Sequence, residues 1–214
     1  MKYRKLVENA KKPNGFWGKM MIKAMNKGHS SLTSWGLEHM NIERTATVLD
    51  IGCGGGKTVD RLCSIVANGK VYGIDYSDLS VKSSEKLNSK NILCNKAKIL
   101  QASVSDMPFD DNTFDNITAV ETYYFWPDKE NDVKEVFRVL KQGGTVMLLF
   151  EMLITDDDPF KWEKVENMLN IKSVTPQEIR AVLDSAGFEN INTYTKEGTT
   201  WLCATAQKPK DDEN

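Results

Sequence analysis

Short apolar runs alternate along the chain with segments whose apolar residues recur every three or four positions. The runs ATVLDIG, KVYGID, AKILQAS, FDNITAVE and TVMLLFE predict five strands. Between the first two runs, Val59, Leu62, Cys63 and Val66 have helical spacing, and Gly69 follows them. This alternation predicts an α/β protein with a doubly wound, mainly parallel sheet that has helices on both faces.

Several element ends carry residues that favour caps or turns. Ser77 is placed to cap one helix, and another begins with a capping box between Thr175 and Glu178. A third helix is predicted to stop at Gly143-Gly144. The terminal segment ENINTYTKEGTTWLCATAQ has two strand patterns around Glu197-Gly198, so we expect an antiparallel pair at the end.

These elements fit one domain with additions at both ends. A chain of 214 residues that is 40% hydrophobic can bury one sizeable core. We expect a helical extension over residues 1–42 that covers the site, the sheet domain over 43–208, and an acidic tail over 209–214.

Composition argues against several other classes of protein. The longest apolar run, TVMLLFEMLI, is interrupted by Glu151 and is much shorter than a membrane span, and no N-terminal stretch resembles a signal peptide. The four cysteines have no C-x-x-C spacing, which argues against a zinc site or a disulfide framework. We therefore expect a cytoplasmic protein with reduced thiols, no membrane span and no metal site.

Charge is distributed unevenly along the chain. The net charge is −2, but residues 1–28 carry eight Lys or Arg and one acidic residue, so the remainder is close to −9. This basic segment could contact nucleic acid, an anionic membrane or an acidic substrate. The favoured interpretation is a helix with solvated lysines whose larger apolar side chains pack on the domain: Phe16, Trp17, Met20, Met21 and Met25.

Four glycines occupy the five positions from Gly52 to Gly56, directly after the first predicted strand. Glycine lets a ligand approach the backbone, and ligands of such sheets bind beyond the carboxyl ends of the strands. The spacing does not match a P-loop, because Ile51 stands where that motif has its first glycine. It does not match the dinucleotide fingerprint either, because Lys57 replaces the third glycine.

Two acidic residues narrow the choice of ligand. Asp50 lies at the end of the first strand, where a carboxylate repels a pyrophosphate and favours a cationic group. Asp75 ends the second strand, where a carboxylate can accept both ribose hydroxyls. The ligand should therefore combine a ribose with a positively charged, phosphate-free portion, a description that fits S-adenosylmethionine.

Four segments together resemble the successive motifs of class I S-adenosylmethionine-dependent methyltransferases: VLDIGCGGGKT, the acid of VYGIDYS, MPFDDNTFD and VLKQGGTVMLL. The resemblance covers roughly residues 45–150 and is closest to the ubiquinone/menaquinone-biosynthesis-like subgroup. It implies a Rossmann-like sheet of seven strands in the order 3-2-1-4-5-7-6 with an antiparallel last strand. The terminal strand pair agrees with that order.

The same resemblance implies a set of cofactor contacts. Gly52 to Gly54 would wrap the methionine part, Asp75 would hold the ribose, and Tyr76 would pack on the adenine. At the position of Ser103 the family often has Asp. The complete predicted set is Asp50, Gly52, Cys53, Gly54, Asp75, Tyr76, Ser103, Val104 and Glu121.

The segment VETYYFWPD after the fourth strand should line the opening where the methyl group leaves. Aromatic faces can surround a sulfonium and hold an apolar acceptor, so Tyr123 and Tyr124 are candidates for catalysis and equally for packing. Phe125 and Trp126 are the expected core members. Of the two histidines, His29 is the candidate base, because the resemblance implies that a helical N-terminal extension folds over the cofactor.

These predictions describe an enzyme that transfers a methyl group in line to a small, partly apolar molecule, with S-adenosylmethionine as the cofactor. The acidic body of the chain argues against a nucleic-acid substrate. Two alternatives stay open: an RNA or protein methyltransferase that uses the basic N-terminus, and a non-catalytic S-adenosylmethionine-binding domain.

Overall fold

A seven-stranded sheet forms the centre of the computed structural model, which describes residues 9–155, 157, 158 and 160–210. The strand order is β3-β2-β1-β4-β5-β7-β6, and β7 is antiparallel to both of its neighbours. The predicted order and the antiparallel last strand are therefore confirmed. The strands are β1 (Thr47–Ile51), β2 (Lys70–Asp75), β3 (Ala97–Gln101), β4 (Phe114–Val120), β5 (Leu140–Phe150), β6 (Glu189–Thr195) and β7 (Leu202–Gln207).

Helices cover both faces of this sheet. The predicted cap at Ser77 is present, with its Oγ accepting from the Ser80 N–H at 3.4 Å, and so is the capping box at Thr175. A 3₁₀ turn spans Tyr123–Phe125. The helices are α1 (Gly15–Gly28), α2 (Ser30–Leu37), α3 (Lys57–Ile65), α4 (Asp78–Leu87), α5 (Ser89–Leu93), α6 (Lys129–Val139), α7 (Glu163–Leu169) and α8 (Pro176–Ser185).

The Gly143-Gly144 pair lies inside β5, whereas the sequence predicted that it would end the preceding helix. That helix, α6, ends at Val139, and the strand begins at once. Both glycines continue the sheet by pairing with Lys208. The Gly143 N–H donates to the Lys208 carbonyl at 2.9 Å, and the Lys208 N–H donates to the Gly144 carbonyl at 3.0 Å. Pairing between strands outweighs the local preference of glycine for a helix end.

The main core lies around the centre of the sheet and is built on β4 and β5, with Phe114, Ile117 and Phe150 fully buried. A second cluster under α3 contains Val59 and Leu62. The carboxyl ends of β1, β2 and β4 meet at one edge, because these strands are parallel neighbours. That edge is where the fold favours a ligand site.

Helix α1 packs on this edge with only part of its apolar surface. Met21 and Ile22 are buried, but the side chains of Phe16 and Met20 are 70% and 42% exposed. The expectation that Phe16 and Met20 pack on the domain is therefore wrong: both lie on the side of the helix that faces away from the sheet.

Parts of the predicted organisation fall outside the described residues. These parts are residues 1–8 of the predicted extension and 211–214 of the predicted acidic tail. Among the described residues, no helix has the length and apolar character needed to cross a bilayer.

Candidate functional site

A cavity of about 880 Å³, counted to its open mouth, lies at the carboxyl ends of β1, β2 and β4. Helix α1 and the segment before it form its other wall. Among the residues predicted from the sequence, the cavity wall includes His29, Asp50, Gly52, Cys53, Gly54, Asp75, Tyr76 and Glu121.

The glycine loop forms the floor of this cavity, and its conformation requires glycine at two positions in particular. Gly52 has φ of +68°, and a Cβ built there would lie 2.2 Å from the Thr122 Oγ1. At Gly55, a Cβ would lie 2.4 Å from the Asn26 Nδ2 and 2.6 Å from the Ile22 Cγ2. The glycines thus allow β4 and α1 to approach the loop closely, in addition to leaving the backbone open toward the cavity.

Two buried carboxylates border the loop. Asp50 is 2% exposed and accepts a hydrogen bond from the Thr118 hydroxyl at 2.7 Å. Burial raises the pKa of Asp50 to about 7. Asp75 accepts hydrogen bonds from the backbone N–H groups of Gly54 and Ser77, and burial raises its pKa as well. A cationic ligand would stabilise the ionised form of both carboxylates.

The segment before α1 covers the end of β2. The Tyr76 hydroxyl donates a hydrogen bond to the Lys11 carbonyl, and the Ser77 hydroxyl donates to the Pro13 carbonyl at 2.9 Å. The Lys12 Nζ lies 5.4 Å from the centre of the Tyr76 ring. Lys11 and Pro13 line the cavity. Tyr76, which is predicted to contact the cofactor, therefore also contacts the N-terminal segment.

Three titratable side chains meet at the opposite end of the cavity. The Nε2 of His29 lies 3.9 Å from the Glu151 Oε2, and ligand-type atoms of His29, Glu121 and Glu151 all lie within 4.8 Å of one another. Within the described residues, this trio is the one group that has the spacing of a metal site, although the sequence contains no metal-binding motif. Glu121 has φ of +57°, an uncommon conformation for this residue type.

Burial shifts the pKa values of two members of this trio, His29 and Glu121. Burial lowers the pKa of His29, and the neighbouring Glu151 opposes that shift. Burial raises the pKa of Glu121 to about 8, opposed by the hydrogen bond from the Glu151 N–H and reinforced by the Glu151 charge. A neutral imidazole can accept a proton at neutral pH, and the protonated Glu121 cannot.

The aromatic residues of the 3₁₀ turn divide between the core and the cavity. Tyr123 and Tyr124, predicted equally for catalysis and for packing, are each 5% exposed, pack on Phe150, and are absent from the cavity wall. Phe125, which was predicted to be in the core, is partly buried against it and also lines the cavity. Trp126 is buried as predicted. The turn rotates the side chains so that the third aromatic residue faces the cavity and the first two face the core.

Tyr124 nevertheless touches the site through its hydroxyl group. The hydroxyl donates a hydrogen bond to the Glu121 Oε1 at 3.4 Å and accepts one from the Met152 N–H at 3.0 Å. Tyr124 therefore fixes Glu121 in place from the core side. A catalytic role for Tyr123 or Tyr124 stays a prediction.

Three further predicted residues differ in their location. Val104 is buried in the core, and Ser103 is exposed in an isolated bridge with Asp106. Neither lines the cavity, so their predicted contact with the adenine edge stays a prediction. Cys53 does line it, but burial raises the pKa of its thiol well above the ordinary value, so the thiol is a poor nucleophile.

Several residues at the site were not identified from the sequence. Arg61 donates hydrogen bonds to the Ser30 carbonyl and hydroxyl at 2.9 and 3.0 Å, which holds α2 against α3 beside the cavity. Glu151 reaches the site because β4 and β5 are parallel neighbours, with the Glu121 N–H bonded to the Leu149 carbonyl. The only indication of Glu151 in the sequence was its position directly after an apolar run.

Comparison with known proteins finds similarity to methyltransferases. A family model described as "Methyltransferase domain" matches residues 49–148. The chain is 27% identical over 183 residues to the "Uncharacterized methyltransferase YdaC" of Bacillus subtilis, covering 85% of this chain and 93% of that protein. It is 32% identical over 181 residues to the "Ubiquinone/menaquinone biosynthesis C-methyltransferase UbiE" of Cronobacter sakazakii, covering 73% of this chain and 72% of that protein.

The fold is also shared with solved structures. Human N-acetylserotonin methyltransferase (ASMT), solved in complex with SAM, superposes with a TM-score of 0.71 at 17% identity. The match covers 88% of this chain and 55% of that protein. At this identity the likeness concerns the fold.

Proposed function

The chain belongs to the class I S-adenosylmethionine-dependent methyltransferases, and we propose that it methylates a small, partly apolar molecule at the end of the cavity formed by His29, Glu121 and Phe125. The cofactor is S-adenosylmethionine, which supplies a methyl group already activated by a sulfonium. The family leaves the acceptor open, so the proposal concerns the acceptor and the residues that bind it.

The glycine-loop end of the cavity suits the cofactor. Asp50 and Asp75 supply two carboxylates at the wall, and neither has a Lys or Arg within 4 Å among the described residues. A cationic, phosphate-free ligand fits these two carboxylates. We propose that Asp75 holds the ribose and that Tyr76 contacts the adenine.

We propose that the acceptor binds at the other end of the cavity. Met25, Val120 and Phe125 give it apolar surface, and His29 and Glu121 add titratable groups. This mixture is the observation that supports a small, partly apolar acceptor, because such pockets combine apolar walls with a few placed polar groups. The UbiE relative is named for its place in ubiquinone and menaquinone biosynthesis, which is compatible with an acceptor of this kind.

We propose that His29 accepts the proton when the acceptor carries one. Its pKa is lowered by burial, so its imidazole is neutral near pH 7 and available as a base. Most of the remaining rate enhancement would come from holding the acceptor in line with the methyl group, which needs no further chemistry from the chain.

Calorimetry with S-adenosylmethionine, S-adenosylhomocysteine and NAD tests the cofactor end, and a panel of aromatic and aliphatic metabolites tests the acceptor end. We expect binding of the first two ligands, no binding of NAD, and methylation of a partly apolar metabolite.

His29→Gln should lower turnover without changing cofactor affinity. The matched control is His39→Gln, because His39 stacks on Tyr194 at 4.0 Å and lies outside the cavity wall.

Two outcomes would replace the acceptor proposal. Strong inhibition by RNA at near-physiological salt, relieved by neutralising Lys19, Lys23 and Lys27, would indicate a nucleic-acid substrate. Cofactor binding without turnover across a broad acceptor panel would indicate a binding domain that has no catalytic role.

A further inference from the structure

Helix α1 has an outward face that combines lysines with large apolar side chains. We call it the α1 outer face; its members recur at three- and four-residue spacing along one side of the helix and are all exposed. They are Phe16, Lys19, Met20, Lys23, Ala24 and Lys27. The opposite side of the helix contains Met21 and Ile22, which pack on the domain. The exposed side chains are therefore not needed for folding of α1 against the sheet.

The apolar part of this face lacks a partner within the described residues. Phe16 is 70% exposed and touches Trp17 edge-on, with 5.6 Å between ring centres, and Met20 is 42% exposed. Ala24 extends the same row by one further turn. Exposed apolar rows rimmed by polar residues are typical of interaction surfaces.

The charged part points to the chemistry of the partner. Among the described residues, no carboxylate lies within 4 Å of Lys19, Lys23 or Lys27. Residues 9–28 contain five lysines and no acidic residue, although the chain as a whole has a net charge of −2. The complementary partner is therefore anionic.

We propose that the α1 outer face docks on an anionic lipid surface, with Phe16 and Met20 in the headgroup region and the lysines at the lipid phosphates. A helix that places Lys and large apolar side chains on one exposed surface suits the bilayer interface, because the long lysine stems can lie along the apolar row while the ammonium groups reach the phosphates. RNA would match the lysines but would leave Met20 in water, since its recognition surfaces use aromatic rings and Arg.

The location of the helix gives this docking a consequence for the site. Met25, Asn26 and His29 line the cavity from the inner side and the end of the same helix. A lipid surface held by the outer face would therefore lie on the far side of the helix that forms one wall of the cavity. The docking itself needs neither cofactor nor acceptor, so its test is independent of the proposed function.

Sedimentation of the full chain with large vesicles tests the proposal. We compare vesicles of phosphatidylcholine alone with vesicles containing phosphatidylcholine and phosphatidylserine at roughly three to one. We expect binding to the second kind only. Phe16→Ser with Met20→Ser, and separately Lys19→Gln with Lys23→Gln, should each reduce the bound fraction at least about tenfold.

The controls match the changes in apolar surface and in charge. Leu93→Ser removes an 87% exposed apolar side chain from α5, and Lys86→Gln with Lys90→Gln removes two exposed charges. Both controls should bind vesicles like the unchanged chain. The proposal would be overturned by the absence of binding to anionic vesicles or by equal losses in the controls. Loss of self-association in Phe16→Ser without vesicle binding would also overturn it and would assign the face to a second copy. RNA binding that depends on the lysines but not on Phe16 would assign it to nucleic acid.

Discussion

The Asp75 carboxylate accepts a hydrogen bond from the Gly54 N–H, with 3.0 Å between the Oδ2 and the nitrogen. The end of β2 therefore holds the glycine loop that follows β1. The other carboxylate oxygen accepts from the Ser77 N–H at 2.8 Å. Each oxygen has two lone pairs, so acceptor capacity remains for the ribose hydroxyls that Asp75 is proposed to bind. One side chain thus links the shape of the loop to recognition of the cofactor.

Asp75→Ala should weaken binding of S-adenosylhomocysteine by ~1–3 kcal/mol, the usual loss for hydrogen bonds to a charged acceptor. Calorimetry measures the affinity, and circular dichroism reports whether the chain remains folded. Asp78→Ala is the control, because Asp78 is exposed and pairs with Lys82 at 2.7 Å. Equal affinity of both variants and the unchanged chain would show that Asp75 does not hold the ribose.

Gly52→Ala should lower the melting temperature and abolish cofactor binding. The left-handed φ of +68° costs a residue with a Cβ about 1–2 kcal/mol, and the overlap with the Thr122 Oγ1 at 2.2 Å adds to that cost. Gly198→Ala separates the two effects: Gly198 has φ of +69°, but a Cβ there meets no atom within 4 Å. Equal destabilisation of the two variants would mean that the approach of Thr122 is unimportant.

Local patterns were sufficient to predict most of the fold. The cap at Ser77 and the capping box at Thr175 depend on residues three positions apart, so the sequence contains the whole interaction. The predicted start of β5 was wrong because Gly143 and Gly144 pair with Lys208, which is distant in sequence. Pairing of that kind cannot be predicted from a local pattern of glycines.

The lining of the cavity at the glycine loop was predictable for the same reason, and its lining at the opposite end was not. Asp50, Gly52 and Gly54 are neighbours in sequence, and all of them line the cavity. The direction of each aromatic side chain after β4 depends on the 3₁₀ turn, which puts Phe125 rather than Tyr124 at the cavity. Alternation along a short irregular segment does not determine such directions.

Tyr124→Phe should reduce turnover and leave the affinity for S-adenosylhomocysteine within a few-fold. The change removes the hydroxyl that bonds to the Glu121 carboxylate and the Met152 N–H, while the ring keeps its contact with Phe150. Removal of such a bond in the interior costs about 1–3 kcal/mol when a partner is left unsatisfied. Kinetics on an acceptor found in the panel, together with calorimetry, separate the two effects.

Tyr123→Phe is the matched control for that experiment. The Tyr123 ring also contacts Phe150 at 5.6 Å and packs on Trp126. Its side chain lies in the same core cluster, away from the cavity wall. If Tyr123→Phe and Tyr124→Phe reduce turnover equally, the hydroxyl of Tyr124 has no special role in positioning Glu121.

The raised pKa of Glu121 makes stability depend on pH. The pKa rises from its ordinary value of 4.5 to about 8 because of burial. Between these values the folded protein binds a proton at Glu121 that the unfolded chain does not, so stability should fall as pH increases through this window. Asp50, with its pKa raised to about 7, contributes with the same sign, and His29, with its lowered pKa, contributes with the opposite sign.

Glu121→Gln should therefore make the fall in stability between pH 5 and about 8 shallower, because an amide cannot lose this proton. Denaturant unfolding without cofactor at several pH values measures the slope. Glu85→Gln, an exposed change on α4, should leave the slope as it was. An unchanged slope in Glu121→Gln would show that Glu121 is ionised in the folded protein at neutral pH.

Limited proteolysis tests whether residues 1–42 act as the predicted cover. Most side chains of residues 9–28 are exposed or half-buried, and elements with few buried contacts open readily. Because α1 forms one wall of the cavity, S-adenosylhomocysteine should slow tryptic cleavage after Lys19 and Lys23. Cleavage after Lys196, in the exposed β6–β7 connection, provides an internal control that should not change. Equal rates at Lys19 with and without ligand would make α1 a static wall, and the cavity would then have to fill through its existing mouth.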